Sequence, residues 1–166
     1  MYKRQGWCYY EDSSGTNLPE FGKLYNFYVI GSGMCPSGWH VPNFAEWFEE
    51  GGLRAWISEE FPSIGIEAGG ALKSTGTTEW LAPNEGATNE FHFNGRPSGG
   101  RNLEGEFIPL GTEANFHINN TFGGGEAHHV YLKHHTTSFD RDSPWQGDTP
   151  ATLHWGASIR CIQDSE

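Results

Sequence analysis

Helical periodicity is confined to the first half of the chain and disappears after Gly69. Asn43 precedes Glu46 by three residues, an Asn-x-x-Glu variant of the capping box, which predicts a first helix over residues 43–50. Two glycines interrupt this helix, and apolar residues at helical spacing then predict a second helix over residues 53–61. Clusters of Pro, Asn and Gly divide the second half into short strands joined by long loops.

Three stretches of the second half alternate apolar and polar residues with the period of a β-strand. Successive side chains of a strand point to opposite faces, so the apolar sets are expected in the core and the other sets at solvent or a ligand. The apolar sets are Phe116 and Ile118, Val130 and Leu132, and Leu153, Trp155, Ala157, Ile159 and Cys161. The sets predicted to face outward are His117 and Asn119, then His129, Tyr131, Lys133 and His135, and then Thr152, His154, Gly156, Ser158 and Arg160.

Length and charge limit the function classes. The chain of 166 residues fits one domain spanning residues 1–166, with a core rich in aromatic side chains. Its formal net charge of -11 repels phosphate backbones and anionic headgroups, which argues against nucleic acid or membrane as the partner. No apolar stretch approaches the roughly 20 residues that cross a bilayer, and the N-terminal segment lacks the apolar run of a signal peptide.

Two local features leave alternatives open. Residues 21–30 form an apolar and aromatic run, which predicts a strand or a buried aromatic segment. Cys8, Cys35 and Cys161 match no zinc-binding spacing. They are therefore three reduced thiols, one disulfide with a spare thiol, or a set that includes a reactive cysteine. The reduced state is preferred, because free cysteine usually packs as a small apolar residue.

Histidine is concentrated in the last third of the chain. Adjacent histidines on a strand point to opposite faces, so each pair offers one ligand to a given site. Residues 129 and 135 also lie about 20 Å apart along a straight strand. A zinc site is therefore not expected, no cofactor is implied, and a solvated polar face without a ligand is the plainer alternative. The histidines of this region are His117, His128, His129, His134, His135 and His154.

Two other function classes have weak signals. Calcium-dependent sugar binding needs clustered oxygen ligands, whereas residues 83–85 and the group Asp140, Asp142 and Asp148 are more typical of turns. No Ser-His-Asp order, paired-carboxylate motif or phosphate-binding loop stands out in the sequence. Enzymatic activity is therefore not expected.

A series of short motifs extends over almost the whole chain. They are GKLYN at 22–26, CPSGWHVP at 35–42, GGALK at 69–73, GATNE at 86–90, GGRN at 99–102 and SIRC at 158–161. In this order they resemble the signature of the Fibrobacter succinogenes major paralogous domain, and the CPSGWHVP element is specific. The resemblance implies a C-type-lectin-like α+β fold with two short helices, small antiparallel sheets and long loops. The pattern of helices and strands agrees with that implication.

The chain departs from the family pattern at outward positions. Where members show an aromatic residue followed by Trp-Ser-Ser-Thr-Glu, this chain has FHINNT at 116–121, and where they show Ala-Trp-Tyr-x-Tyr-Leu it has AHHVYL at 127–132. A fixed scaffold with such changes resembles the variable proteins of diversity-generating retroelements, whose displayed positions are randomised. That resemblance implies a diversified surface over residues 117–145.

The expected function is non-enzymatic binding of a protein or cell-surface ligand, outside the cell or on a virion. A fixed-specificity adhesion or carbohydrate-binding module is the alternative. Tyr131 and Trp145 are the expected anchors, because a few central aromatic side chains dominate such surfaces, although Trp145 fits equally well as a loop residue packed into the core. The candidate binding residues are His117, Asn119, Asn120, His128, His129, Tyr131, Lys133, His134, His135, Thr137, Asp140, Asp142 and Trp145.

Overall fold

A computed structural model describes residues 6–10, 21–31, 33–64, 67–121, 127–142 and 153–165. In these ranges the protein has the predicted α+β fold, and no helix there is long and apolar enough to cross a membrane. The helices are α1 (Phe44–Phe48), α2 (Leu53–Glu60) and α3 (Gly69–Leu72), with a 3-10 turn at Phe27–Val29. The strands are β1 (Trp7–Cys8), β2 (Leu24–Tyr25), β3 (Trp39–His40), β4 (Gly100–Arg101), β5 (Phe107–Ile108), β6 (Glu113–Thr121), β7 (Ala127–Lys133), β8 (Asp140–Asp142) and β9 (Ile162–Gln163).

The two predicted helices are confirmed and slightly shorter than expected. The Asn43 side chain accepts a hydrogen bond from Glu46 N at 3.2 Å, and the Glu46 carboxylate accepts one from Asn43 N at 2.7 Å. This reciprocal capping box satisfies two backbone donors at the start of α1. Trp47 of α1 and Ile57 of α2 are buried, so both helices contribute to the core.

The short helix α3 was not expected, because glycine is a poor helix former. It forms where the backbone must approach two other segments closely. A Cβ on Gly69 would lie 2.1 Å from Ser138 O, and one on Gly70 would lie 2.3 Å from Gly86 O. Glycine is therefore required at both positions. The backbones of residues 138 and 86 both pack directly against α3.

The longest strands form one antiparallel sheet in the order β6-β7-β8. Its register pairs Glu113 with Lys133 at one end and Thr121 with Ala127 at the other, with a shift between residues 117 and 121. The smaller antiparallel pairs are β1-β2, β3-β9 and β4-β5. The β6-β7-β8 sheet therefore carries most of the candidate binding residues.

Residues 153–161 do not form the continuous strand that their alternation predicts. Residues 156, 157 and 158 instead bridge Arg101, Tyr25 and Phe116 respectively. Because each of the three meets a different element, consecutive side chains are buried on both sides, and Ser158 is buried together with Ala157. The outward orientation predicted for Ser158 is therefore wrong.

Residues 21–30 are likewise not one strand. Leu24 is buried within β2, but the chain then turns into the 3-10 segment, where Tyr28 is 44% exposed. The run combines a short strand with a surface aromatic residue. Its composition did not distinguish these two environments.

The core lies between the helices and the inner face of the β6-β7-β8 sheet. The inward positions predicted for Phe116, Ile118, Val130 and Leu132 are confirmed, since all four are buried. Fully burying one such side chain contributes about 1.5–3 kcal/mol. The buried cluster consists of Trp47, Ile57, Ala68, Leu72, Trp80, Ala114, Phe116, Ile118, Val130, Leu132 and Phe139.

Of the three cysteine states left open by the sequence, the structure has one disulfide and one spare thiol. Cys35 and Cys161 are bonded across 126 residues of chain, and Cys8 is buried and lies outside this disulfide. The preferred all-reduced state is therefore wrong. The bond ties the CPSGWHVP segment to the C-terminal segment, next to the β3-β9 pair.

Candidate functional site

The centre of the face predicted to display the candidate residues is covered. His117, His128 and His129 are 2%, 7% and 4% exposed, so the prediction that these side chains lie at the surface is wrong. Alternation assigns a side chain to one face of a sheet, but it does not say whether another segment packs over that face. His128 also shares its face with Val130 and Leu132, which point into the core.

His117 connects β6 to β2. Its Nε2 lies 2.6 Å from Tyr25 O, and its ring meets that of Phe27 edge-on. Burial lowers the pKa of His117 to about 4, against the opposite effect of the hydrogen bond to Tyr25. The ring is therefore neutral at pH 7, and Nε2 carries the proton because the carbonyl oxygen accepts. His117 is part of the scaffold.

His129 lies directly opposite His117 in the sheet register. Its ring stacks on Trp155, with ring centroids 5.2 Å apart and planes 10° apart. Burial lowers the pKa of His129 to about 3, and the positive charges that His117, His128 and Lys133 carry when protonated lower it further. The two central histidines are thus packed as neutral rings under the C-terminal segment.

The other candidate residues divide between the two ends of β6 and β7. Asn119 is exposed at one end, where Asn120 Oδ1 accepts a hydrogen bond from Phe44 N at 2.6 Å. Lys133 and the residues after it lie at the other end, about 20 Å away at the rise of a strand. The structure therefore does not gather the predicted residues into one patch.

Two loops meet at the end that carries Lys133, and we call residues 81–88 and 133–138 the loop pair. Glu85 N donates to His134 O at 2.8 Å, which joins the two loops directly. Gly70 N donates to Thr137 O at 3.3 Å, which joins the second loop to α3. The loop pair is therefore fixed to the scaffold by its backbone.

Lys73, immediately after α3, holds the loop pair from below. Its side chain is fully buried, and Nζ donates to the carbonyl oxygens of Glu85, Lys133 and Thr136 at 2.8, 3.0 and 3.0 Å. These three bonds use all the donors of the ammonium group. Burial lowers the pKa of Lys73 to about 8, while the negative charge of Glu85 raises it. The charge is costly to bury, so its three acceptors must stay in place.

Several candidate residues present their side chains on the loop pair. His135 is exposed and contacts the ring of His134, whose Nδ1 lies 3.0 Å from Ala82 O. Thr137 donates to the Glu67 carboxylate at 2.9 Å. Imidazole, hydroxyl and carboxylate groups therefore lie together at this end of the sheet.

The surface of the loop pair continues onto the adjoining end of the β6-β7-β8 sheet, which carries Lys133. Lys133 Nζ lies 4.3 Å above the centre of the Tyr131 ring, and both side chains are partly exposed. Asp140 lies opposite Tyr131 in the register and 3.8 Å from the Arg54 guanidinium. Asp142 lies opposite His129 on β8. The expected anchor Trp145 lies outside the described residues.

A separate ionic cluster surrounds His40. Its ring nitrogens lie 2.5 Å from Asp164 and 2.7 Å from Glu46. The hydrogen bond to Asp164 raises the pKa of His40, and the hydrogen bond to Glu46 raises it further by a smaller amount. The cluster joins the α1 capping box to the C-terminal segment.

Within the described ranges, no group of three or more His, Cys, Asp or Glu residues is placed to hold a metal ion.

Comparison with known families decides the classification. The profile described as Fibrobacter succinogenes major domain matches residues 1–163. The chain belongs to the Fibrobacter succinogenes major domain family. No curated protein and no solved structure matches the chain.

The sequence-based prediction missed two features of this member of the Fibrobacter succinogenes major domain family. Lys73 lies in the GGALK motif, and a lysine among glycines and apolar residues was a signal for a buried, carbonyl-bound ammonium. The contact between loops 81–88 and 133–138 had no signal, because the loops are some 50 residues apart in sequence.

Proposed function

We propose that this protein is a non-enzymatic ligand-binding domain that presents the loop pair to a protein or another cell-surface molecule. The observation that carries the proposal is the buried ammonium group of Lys73, which fixes both loops through three carbonyl oxygens. A surface whose backbone is fixed before the ligand arrives loses less conformational entropy on binding. Exposed Leu81 and His135, with partly exposed Tyr131, supply apolar and hydrogen-bonding contact area.

We also propose that the displayed positions are diversified by a retroelement. The departures from the family pattern within residues 116–121 and 127–132 support this proposal. The burial of individual side chains limits the positions that can vary. Substitutions at exposed or partly exposed side chains leave the core intact, whereas His117 and His129 are enclosed. The positions expected to vary are Asn119, Tyr131, Lys133, His134, His135 and Thr137.

Deep sequencing of codons 110–166 in the source population, with a scan of neighbouring DNA for a near-copy of that stretch, tests diversification. We expect substitutions to accumulate at the displayed positions while Phe116, Val130 and the enclosed His117 and His129 stay constant. Uniform codons without a near-copy would overturn diversification. The fixed-specificity alternative would then stand.

The proposal also includes a C-type-lectin-like architecture and a location outside the cell. The architecture rests on the motif resemblance. The Cys35–Cys161 disulfide supports a location outside the cell, because disulfides persist in oxidising compartments. Intact-mass analysis of protein from its native source, with and without reductant, checks this location. Three free thiols would contradict it.

A second candidate function, binding of a fixed glycan, is favoured by exposed aromatic rings away from the loop pair. Trp7 is 39% exposed and Tyr28 is 44% exposed, and the Tyr28 ring contacts that of His154 at 5.0 Å between centroids. Trp7 and His154 line the same small pocket, and exposed rings grouped in this way are typical of binding surfaces. A glycan array with and without calcium tests this function, with Trp7→Ala as the variant expected to lose binding and His135→Ala as its matched control.

A further inference from the structure

A cavity of about 160 Å³ lies between Phe21, the segment that carries Arg96 and Ser98, and the C-terminal segment. Its size is comparable to cavities that hold a benzene-sized molecule, and much larger than one water requires. None of the loop-pair residues lines it. Its lining residues are Phe21, Asn94, Arg96, Ser98, Phe116, Ser158, Ile159 and Arg160.

The two arginines of the cavity differ in how their charge is balanced. Arg96 forms a two-point ion pair with Glu79, through Nε at 2.8 Å and through Nη2. Arg160 donates from Nη2 to Phe93 O at 2.6 Å, and its guanidinium carbon lies 4.2 Å from the centre of the Phe93 ring. In the described ranges, no carboxylate lies within ion-pair distance of Arg160, and burial lowers its pKa.

A partly buried guanidinium without an opposing charge is costly, so an anion bound beside it would recover favourable interaction energy. Guanidinium groups present several N–H donors in one plane, which matches the two oxygens of a carboxylate. The cavity therefore has a cationic end that suits a carboxylate, in a protein whose net charge of -11 otherwise repels anions.

A pair of hydroxyl groups adds a second polar element. Ser98 Oγ and Ser158 Oγ lie 2.9 Å apart, and both residues are buried. One hydroxyl donates to the other, so the proton of the accepting hydroxyl is available to a ligand. Phe21, Phe116 and Ile159 contribute apolar side chains to the lining. The ligand should therefore combine one anionic end with a short apolar body.

We propose that this cavity is a binding site for a carboxylate carried on a short apolar body, with Arg160 on the carboxylate and the Ser98–Ser158 pair as an additional donor. Two sources share this chemistry: a free short-chain carboxylic acid, and the C-terminal residue of a peptide. The site is separate from the loop pair and does not depend on the function proposed there.

The test is titration of the full chain with butyrate, followed by the backbone amide NMR signals of Ser98, Ser158 and Arg160. We expect saturable shifts, and the neutral isostere butyramide should bind at least about tenfold more weakly, because it lacks the charge. A tripeptide ending in valine, as free acid and as amide, distinguishes the sources. Tighter binding of the free-acid peptide than of butyrate would assign the C-terminal source, and the reverse would assign the free acid.

Three variants make the assignment specific. Arg160→Met should weaken butyrate binding at least about tenfold and Ser98→Ala about threefold, whereas Arg54→Met, which removes a guanidinium on α2, should leave it unchanged. Ser98→Ala keeps the test decisive if Arg160→Met does not fold. The proposal is overturned if neither probe binds, if butyramide binds as well as butyrate, or if the cavity variants bind like the wild type.

Discussion

The central part of the β6-β7 pair and its outer end carry the same residue type in opposite environments. His117 and His129 pair in register and are enclosed by β2 and Trp155, whereas His135 is exposed on the loop pair. Strand periodicity placed His117, His129 and His135 together as outward-facing residues. A covering segment, and not the alternation itself, therefore separates a scaffold histidine from a displayed one.

Acidification should give the largest effect, because it acts on the covered region. His117 and His129 have folded pKa values of about 4 and about 3, below the ordinary 6.5. Their neutral forms stabilise the fold fully above pH 6.5, and this stability is lost as the pH falls towards those values. Between pH 7 and pH 5 each histidine should remove about 2 kcal/mol from the free energy of unfolding.

Urea denaturation at pH 7, 6 and 5 measures that loss. His129→Asn should lower stability at pH 7 but make the decrease with acidification smaller, since one titrating ring is gone. His135→Asn is the matched control on the exposed end and should keep the wild-type dependence on pH. Unchanged stability of the wild type between pH 7 and 5 would contradict the enclosed, neutral histidines.

Lys73→Met should give the next effect and disturb the exposed end. The variant removes three hydrogen bonds that Lys73 donates to carbonyl oxygens, so we expect a loss of about 3 kcal/mol in unfolding free energy. Compared with the wild type, Lys73→Met should exchange its backbone amide hydrogens faster in residues 81–88 and 133–138. The centre of β7 should show a smaller change. Lys133→Met, which removes a partly exposed ammonium, is the control with an expected loss below about 1 kcal/mol. Equal exchange in wild type and Lys73→Met would contradict the anchoring role.

Asp164→Asn should give the smallest effect, with the opposite dependence on pH. The pKa of His40 is raised by Asp164 and Glu46, so its ion pairs stabilise the fold below pH 6.5 and are lost as the pH rises through the raised value. Because the cluster is partly exposed, the expected loss is below about 1 kcal/mol. The difference between wild type and Asp164→Asn should be larger at pH 6 than at pH 8. A larger difference at pH 8 would contradict this assignment.

The local elements of the fold were predictable because their causes are local. The capping box of Asn43 and Glu46 starts α1, and the alternation in β6 and β7 placed Phe116 and Val130 in the core. Helix α3 was missed, since its glycines are needed for contacts with residues 86 and 138 that the sequence does not reveal. The prediction of a continuous C-terminal strand was wrong for a similar reason, because the residues of that segment pair with several separate elements.

The candidate site was predictable only in part. The sequence identified His134, His135 and Thr137, whose side chains lie on one surface, but it grouped them with His117 and His129, which are enclosed. Coverage of a sheet face depends on segments distant in sequence, here β2 and Trp155. The disulfide was an open alternative for the same reason: the sequence does not show how close Cys35 and Cys161 are.

A saturation mutagenesis scan of residues 113–142, read out as resistance of the displayed protein to protease, measures directly which side chains belong to the covered scaffold and which to the displayed surface. We predict that His135, His134 and Thr137 accept nearly all substitutions, while His117 and His129 accept few, because each is enclosed by packed neighbours. Equal tolerance at His129 and His135 would contradict the division between a covered scaffold and a displayed loop pair.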